Sequence, residues 1–134
     1  MKKTVASTCA FIFDGDRILL GKFRDKYEKS WAAPGGKLEY GETWEEGIIR
    51  EVKEETNVDI ESPSYLNHGS FVDENMHCLY VNFVAQFAKD SVIRLNDEFS
   101  EYGFFSRDQV MNLPLVKGVM RDEIEKAFEQ AVQG

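Results

Sequence analysis

Strand-like apolar runs occupy residues 4–13 and 17–22, and Asp14-Gly15 between them predicts a β-hairpin. A loop then runs to Trp31. Past Thr43 the period changes: Ile48, Ile49 and Val52 recur at helical spacing on one side, while Gly47, Arg50, Glu51, Glu54 and Glu55 fall on the other. Thr43 with Glu46 has the form of a capping box, so a helix begins near Trp44, and Asn57 is a natural stop. Residues 68–71 and 76–88 read as strands, the second alternating Leu79, Val81, Phe83, Ala85 and Phe87 on one face. A further strand is expected at 101–106, and a helical turn near 107–112. A final helix is expected over about 118–132, carrying Val119, Ile124, Phe128 and Ala131. This order of elements predicts an α/β (α+β) fold with a mixed sheet between helices.

With 134 residues and no repeat, low-complexity tract or linker, the chain is expected to be one domain, 1–134. No stretch approaches the roughly 20 apolar residues of a membrane span, and the first residues lack the pattern of a cleaved leader. A soluble, cytoplasmic protein without membrane partners is expected. Cys9 and Cys78 each sit in an apolar run, which predicts buried thiols rather than a disulfide. Sixteen basic against twenty-four acidic residues give a formal charge of −8, which disfavours nucleic acid as a partner. The same charge repels a polyphosphate unless cations neutralise the place where the two meet.

Such a place is suggested by residues 36–58, which crowd Glu42, Arg50, Glu51, Glu54 and Glu55 behind Pro34-Gly35-Gly36, expected to form a turn. Oxygen ligands grouped in this way suit hard divalent cations such as Mg²⁺ or Mn²⁺. Glu51, Glu54 and Glu55 repel one another on the helix unless cations or Arg50 compensate. A Glu-rich segment by itself is usually a solvated face, which is the reading for Glu45 and Glu46. The glycine turn, the cap and the fixed offsets favour a metal site for the others. Gly47 inside a helix costs roughly 1 kcal/mol against Ala, which suggests a close neighbour on that side.

The spacing is glycine at Gly36, five residues, Glu42, seven residues, Arg50, Glu51, Val52, one residue, Glu54, Glu55, one residue, Asn57 and Val58. It resembles the signature of the Nudix hydrolases. The single departure is Asn57, where the pattern has glycine. Residues 95–110, LNDEFSEYGFFSRDQV, resemble the late region of the small bacterial-type members that hydrolyse nucleoside triphosphates and of those that hydrolyse GDP-sugars. The resemblance implies an α/β/α sandwich and hydrolysis of a nucleoside diphosphate linked to a further group, with water attacking phosphorus. It implies that Glu51, Glu54 and Glu55 bind Mg²⁺ (or Mn²⁺) with the main-chain carbonyl of Gly36. Arg50 would hold a glutamate in place, while Gly35 and Glu42 support the loop. Glu51, Arg50 and Glu54 form the expected catalytic set. The resemblance also makes Glu98, in a loop before a strand, a candidate further metal ligand and a competitor of Glu51 for the role of base, against the reading of an ordinary solvated loop glutamate. Phe23, Phe71, Tyr80 and Asn82 are candidates for holding the base, and Phe105, His68 and His77 are also available.

The retained glutamates favour a (deoxy)nucleoside triphosphate, cleaved to monophosphate and pyrophosphate. A nucleoside diphosphate sugar of GDP-mannose or ADP-ribose type is the alternative, and a non-catalytic nucleotide-binding module is a remote one. The partner is a small-molecule nucleotide. Whether the chain is a monomer or a homodimer stays open.

Overall fold

The computed structural model describes residues 2–24, 29–116 and 120–133. In chain order the elements are β1 (Lys3–Asp14), β2 (Arg17–Phe23), β3 (Trp31–Ala32), β4 (Gly35–Lys37), α1 (Trp44–Thr56), β5 (Ser64–Val72), β6 (Met76–Gln86), β7 (Phe99–Phe105), α2 (Arg107–Val110) and α3 (Met120–Gln133). The first turn lies one residue downstream of the expected pair. Asp14 and Arg17 face each other across Gly15-Asp16, and Gly15 takes φ +63°, a conformation glycine adopts without steric cost.

All seven strands join one mixed sheet, with β3-β2-β1-β6-β5 as its main path. β1 runs parallel to β6 from Lys3↔Met76 to Phe13↔Gln86. Its other edge is shared between two partners. β2 pairs with Phe13 and Asp14, whereas β4 pairs antiparallel with Ser7, Thr8 and Cys9. β2 then carries β3 and β7.

Both faces of the sheet are covered, because β1, β2 and β6 send apolar side chains alternately to each. On the α1 side, Ala10, Ile12, Leu19, Phe83 and Ala85 pack against Ile48, Val52, Val58 and Ile60. On the α3 side, Phe11, Phe13, Ile18, Leu20, Trp31 and Val84 pack against Val110, Ile124, Ala127 and Phe128. This is the α/β/α sandwich expected from the sequence. Trp31 meets Phe105 edge-on at 5.0 Å, so both rings belong to the core.

Several boundaries differ from the sequence reading. The expected turn at Pro34-Gly35-Gly36 is the entry to a strand, since Gly35 and Gly36 pair with Cys9 and Thr8. β5 extends from Ser64 because β6 supplies a partner along that whole length. In β6, Leu79 is exposed, whereas Val81, Phe83, Ala85 and nearby Phe87 join the α1-side core. Ser106 caps α2 rather than ending β7. The expected start of the final helix at Gly118 and Val119 lies outside the described residues. Among the described residues no helix is long and apolar enough to cross a membrane.

Candidate active site

The acidic helix is fixed at both ends. The Thr43 hydroxyl accepts from Glu46 N–H at 3.1 Å, and the Glu46 carboxylate accepts from Thr43 N–H at 2.9 Å, completing the capping box. At the other end Asn57 is left-handed, with φ 67°, and its N–H donates to Lys53 O. Gly47 faces Leu38: a β-carbon there would lie 2.2 Å from Leu38 Cδ2.

Arg50 organises the carboxylates. Its Nε donates to Glu42 at 2.6 Å, and its two terminal nitrogens donate to Glu42, Glu51, Glu54 and the carbonyl of Lys37 at 2.9–3.3 Å. The Glu42 carboxylate also accepts from Glu39 N–H at 2.7 Å, which ties the 37–42 loop to the helix. Hydrogen bonding from Arg50, helped by Glu39 N–H, holds the Glu42 carboxyl down at about 2.

Glu51 and Glu55 lie against β4. A β-carbon on Gly36 would fall 2.6 Å from the Glu51 carboxyl carbon. Glu55 is buried, and its Oε1 accepts from Gly35 N–H at 2.9 Å. Burial outweighs that bond and, with repulsion from Glu51, Glu98 and Glu54, pushes the Glu55 carboxyl up to about 8. Glu51 is also shifted upward, first by burial, against the pull of Arg50. Glu54 is half exposed.

Glu98 is exposed just before β7, and its charge is felt at both Glu51 and Glu55. The segment leading to it is stitched to the end of α1. Asn57 Nδ2 donates to Val92 O at 3.0 Å, Arg94 N–H to Thr56 O at 2.9 Å, and Asn96 N–H to Glu55 O at 3.2 Å. Among the described residues no three acidic, histidine or cysteine side chains converge as a formed metal site. Arg50 draws Glu51 and Glu54 towards itself, while Gly35 holds Glu55.

A cavity of about 310 Å³ opens on the α3 side of the sheet and reaches Gly35, Gly36 and Lys37. Its size lies at the lower end of ordinary ligand pockets, which run from roughly 300 Å³. Phe23, Phe71, Tyr80 and Asn82 all line it. Phe105 is not among its lining residues, and His68 is exposed and bonded to Tyr65. Cys9 borders the cavity, and its thiol is pushed up to about 12 by burial and then by Glu55 and Glu123. Both cysteines are free thiols, Cys78 buried and Cys9 partly so.

The sequence reading missed Glu123. This carboxylate is 4% exposed, on the same face of α3 as Ile124, Ala127 and Phe128, and it lines the cavity. The available signal was its position, one residue before Ile124 and four before Ala127, on an otherwise apolar helix face.

A family model described as the NUDIX domain matches residues 3–127. The chain is 27% identical over 119 residues to the NAD-capped RNA hydrolase NudC of Pseudomonas aeruginosa, covering 89% of this chain but only 42% of that protein. It is 26% identical, with a TM-score of 0.79, to the crystal structure of the MutT NUDIX hydrolase from Burkholderia pseudomallei, which aligns over 92% of this chain and 97% of the other. A crystal structure of a UDP-X diphosphatase is likewise 26% identical at a TM-score of 0.79, over 98% of this chain and 64% of that one. Because NudC is named for an RNA substrate, the expectation of no nucleic acid does not extend to every relative.

Proposed function

Because the chain belongs to the family of NUDIX domains, we propose that it hydrolyses a nucleoside diphosphate linked to a further group, through attack of water on phosphorus. The preferred substrate on this reading is a (deoxy)nucleoside triphosphate, cleaved to monophosphate and pyrophosphate. One observation carries it: Gly35 and Gly36 line the ligand-sized cavity and also touch the Glu55 and Glu51 carboxylates. A nucleotide with its base in the cavity sets its phosphates beside the acidic face of α1. Lys37, at the same edge, offsets part of the charge conflict.

The donor set fits Mg²⁺, with Mn²⁺ next. Glu51, Glu54, Glu55 and Glu98 offer only oxygen, Gly36 adds a main-chain carbonyl, and the absent β-carbon of Gly36 leaves room beside Glu51. When bound, the cation neutralises phosphate charge and lowers the pKa of its water. Arg50 orients Glu51 and favours its ionised form, and Glu42 fixes Arg50. Glu51 then accepts the proton of the attacking water, with Glu98 as the competing base. Kinetics separate them: Glu51→Gln should collapse turnover while Glu98→Gln retains more of it, and the reverse order would assign the base to Glu98.

The test is incubation with Mg²⁺ and a panel of nucleoside triphosphates, nucleotide sugars and NAD in ¹⁸O-labelled water, read by phosphorus NMR. Monophosphate and pyrophosphate, with label in one product, are expected. Turnover that persists without metal would overturn the reading. The likeness to a UDP-X diphosphatase favours a second one, and a specificity constant about a hundredfold higher for a nucleotide sugar than for every triphosphate would install it.

A further inference from the structure

On the α3 side of the sheet, where Tyr80, Asn82 and Glu123 line the cavity, lies a polar network that the proposed hydrolysis does not use. Asn82 of β6 pairs in register with Cys9 of β1 on one side and Asn67 of β5 on the other. Glu123 comes down onto this row from α3. Its Oε2 accepts from Asn67 Nδ2 and from Asn82 Nδ2, the latter at 3.3 Å, and its Oε1 accepts from the Tyr80 hydroxyl at 3.3 Å. Asn82 Nδ2 also donates to Asn67 Oδ1 at 3.1 Å. Gly69 makes room for the phenol, since a β-carbon there would lie 2.4 Å from the Tyr80 hydroxyl.

These hydrogen-bond partners of Glu123 are neutral, and among the described residues no Lys, Arg or His pairs with it. A buried carboxylate in an apolar cavity is costly unless donors satisfy it. A carboxylate has about four lone-pair sites. Oε2 has two donors, and Oε1 has a single long bond. Spare acceptor capacity therefore remains on the carboxylate that lines the cavity. Its two adjacent oxygens call for a ligand edge with adjacent donors.

We propose that Glu123, held in place by Asn67 and Asn82, reads the nucleobase, and that the preferred base presents a ring N–H beside an exocyclic amino group, as guanine does. This inference rests on the nucleotide-hydrolase reading and names the substrate class for it. Adenine and cytosine would set a ring-nitrogen lone pair next to their amino group, facing the carboxylate. Uracil and thymine would set two carbonyls against it. Guanine alone among the common bases offers N1–H and N2–H₂ side by side. The aromatic walls of Phe71 and Tyr80 and the side chains of Met76 and Met120 supply the apolar contact a flat base requires.

The decisive comparison is GTP against ITP, which lacks only the N2 amino group, alongside ATP, CTP and UTP, each with Mg²⁺. Wild-type kcat/KM should favour GTP over ITP by at least about tenfold. Glu123→Gln should bring that ratio close to one, with kcat/KM for GTP falling further than kcat/KM for ITP. Equal use of GTP and ITP, a preference for a uracil or adenine nucleotide, or a ratio retained in Glu123→Gln overturns the proposal. Should the variant not fold, the wild-type ratio decides by itself. If the wild type hydrolyses no nucleotide, the hydrolase reading has failed separately. Calorimetric binding of GMP against IMP in EDTA then decides: tighter GMP supports the base site, and equal affinities or no binding overturn it.

Discussion

A β-carbon on Gly36 would meet the end of a flexible side chain, the Glu51 carboxylate, whereas one on Gly35 would lie 2.1 Å from Thr8 O and 2.7 Å from Cys9 Cα. The two neighbours should therefore fail differently. Gly35→Ala collides with backbone that cannot give way, and a loss of stability of about 1–3 kcal/mol is expected in denaturant unfolding. Gly36→Ala should keep a melting temperature near wild type while pushing Glu51 aside, and turnover should fall about a hundredfold or more. Equal effects on stability would remove the distinction. Glu55 makes a prediction about pH. Its folded value of about 8 lies above the ordinary 4.5, so the protonated form is favoured by folding. The stability it lends to the metal-free protein is complete below about 4.5 and is lost as pH rises through about 8. Melting in EDTA should show that decline between pH 5 and 9, and Glu55→Gln should flatten it. An unchanged slope in the variant would assign it to other groups.

Asn57 acts on the scale of elements, because it both ends α1 and tethers the 92–96 segment that leads to Glu98. Asn57→Gly keeps the left-handed end and removes only the bond to Val92. We expect little change in melting temperature but lower turnover, read by kcat under saturating Mg²⁺. A drop in stability without a drop in kcat would make the tether purely structural. Thr43→Ala should show the opposite pattern, costing about 1 kcal/mol through the lost cap while the site chemistry persists. α1 was legible in the sequence because local rules fix it: a cap, a 3.6-residue period and a left-handed stop all sit within its own residues. β3 and β4 were not, since two- and three-residue strands have no period to read, and β4 exists only because β1 turns half of its edge towards it. The base candidates Phe23, Phe71, Tyr80 and Asn82 were recognisable as residue types that suit a pocket. Glu123 and Asn67 were not, because their proximity depends on α3 crossing a sheet row built from three separate strands.

For the molecule as a whole, a charge of −8 and a helix face crowded with glutamates would, on the proposed reading, make divalent cations a partner of the fold as well as of the chemistry. EDTA should abolish turnover, and Mg²⁺ should restore it and raise the melting temperature in proportion to the logarithm of its concentration. A melting temperature indifferent to Mg²⁺ would mean that the glutamates hold no ion in the folded state. The sheet keeps the acidic helix face on the α1 side and the ligand-sized cavity on the α3 side, and they meet at Gly35 and Gly36 of β4. That partition has a genealogical consequence. On the proposed reading, descendants of such a chain can exchange Glu123 or Met120 and acquire a new diet without disturbing the glutamates of α1. Divergence in substrate should therefore gather on one side of a two-glycine wall while the other side stays still.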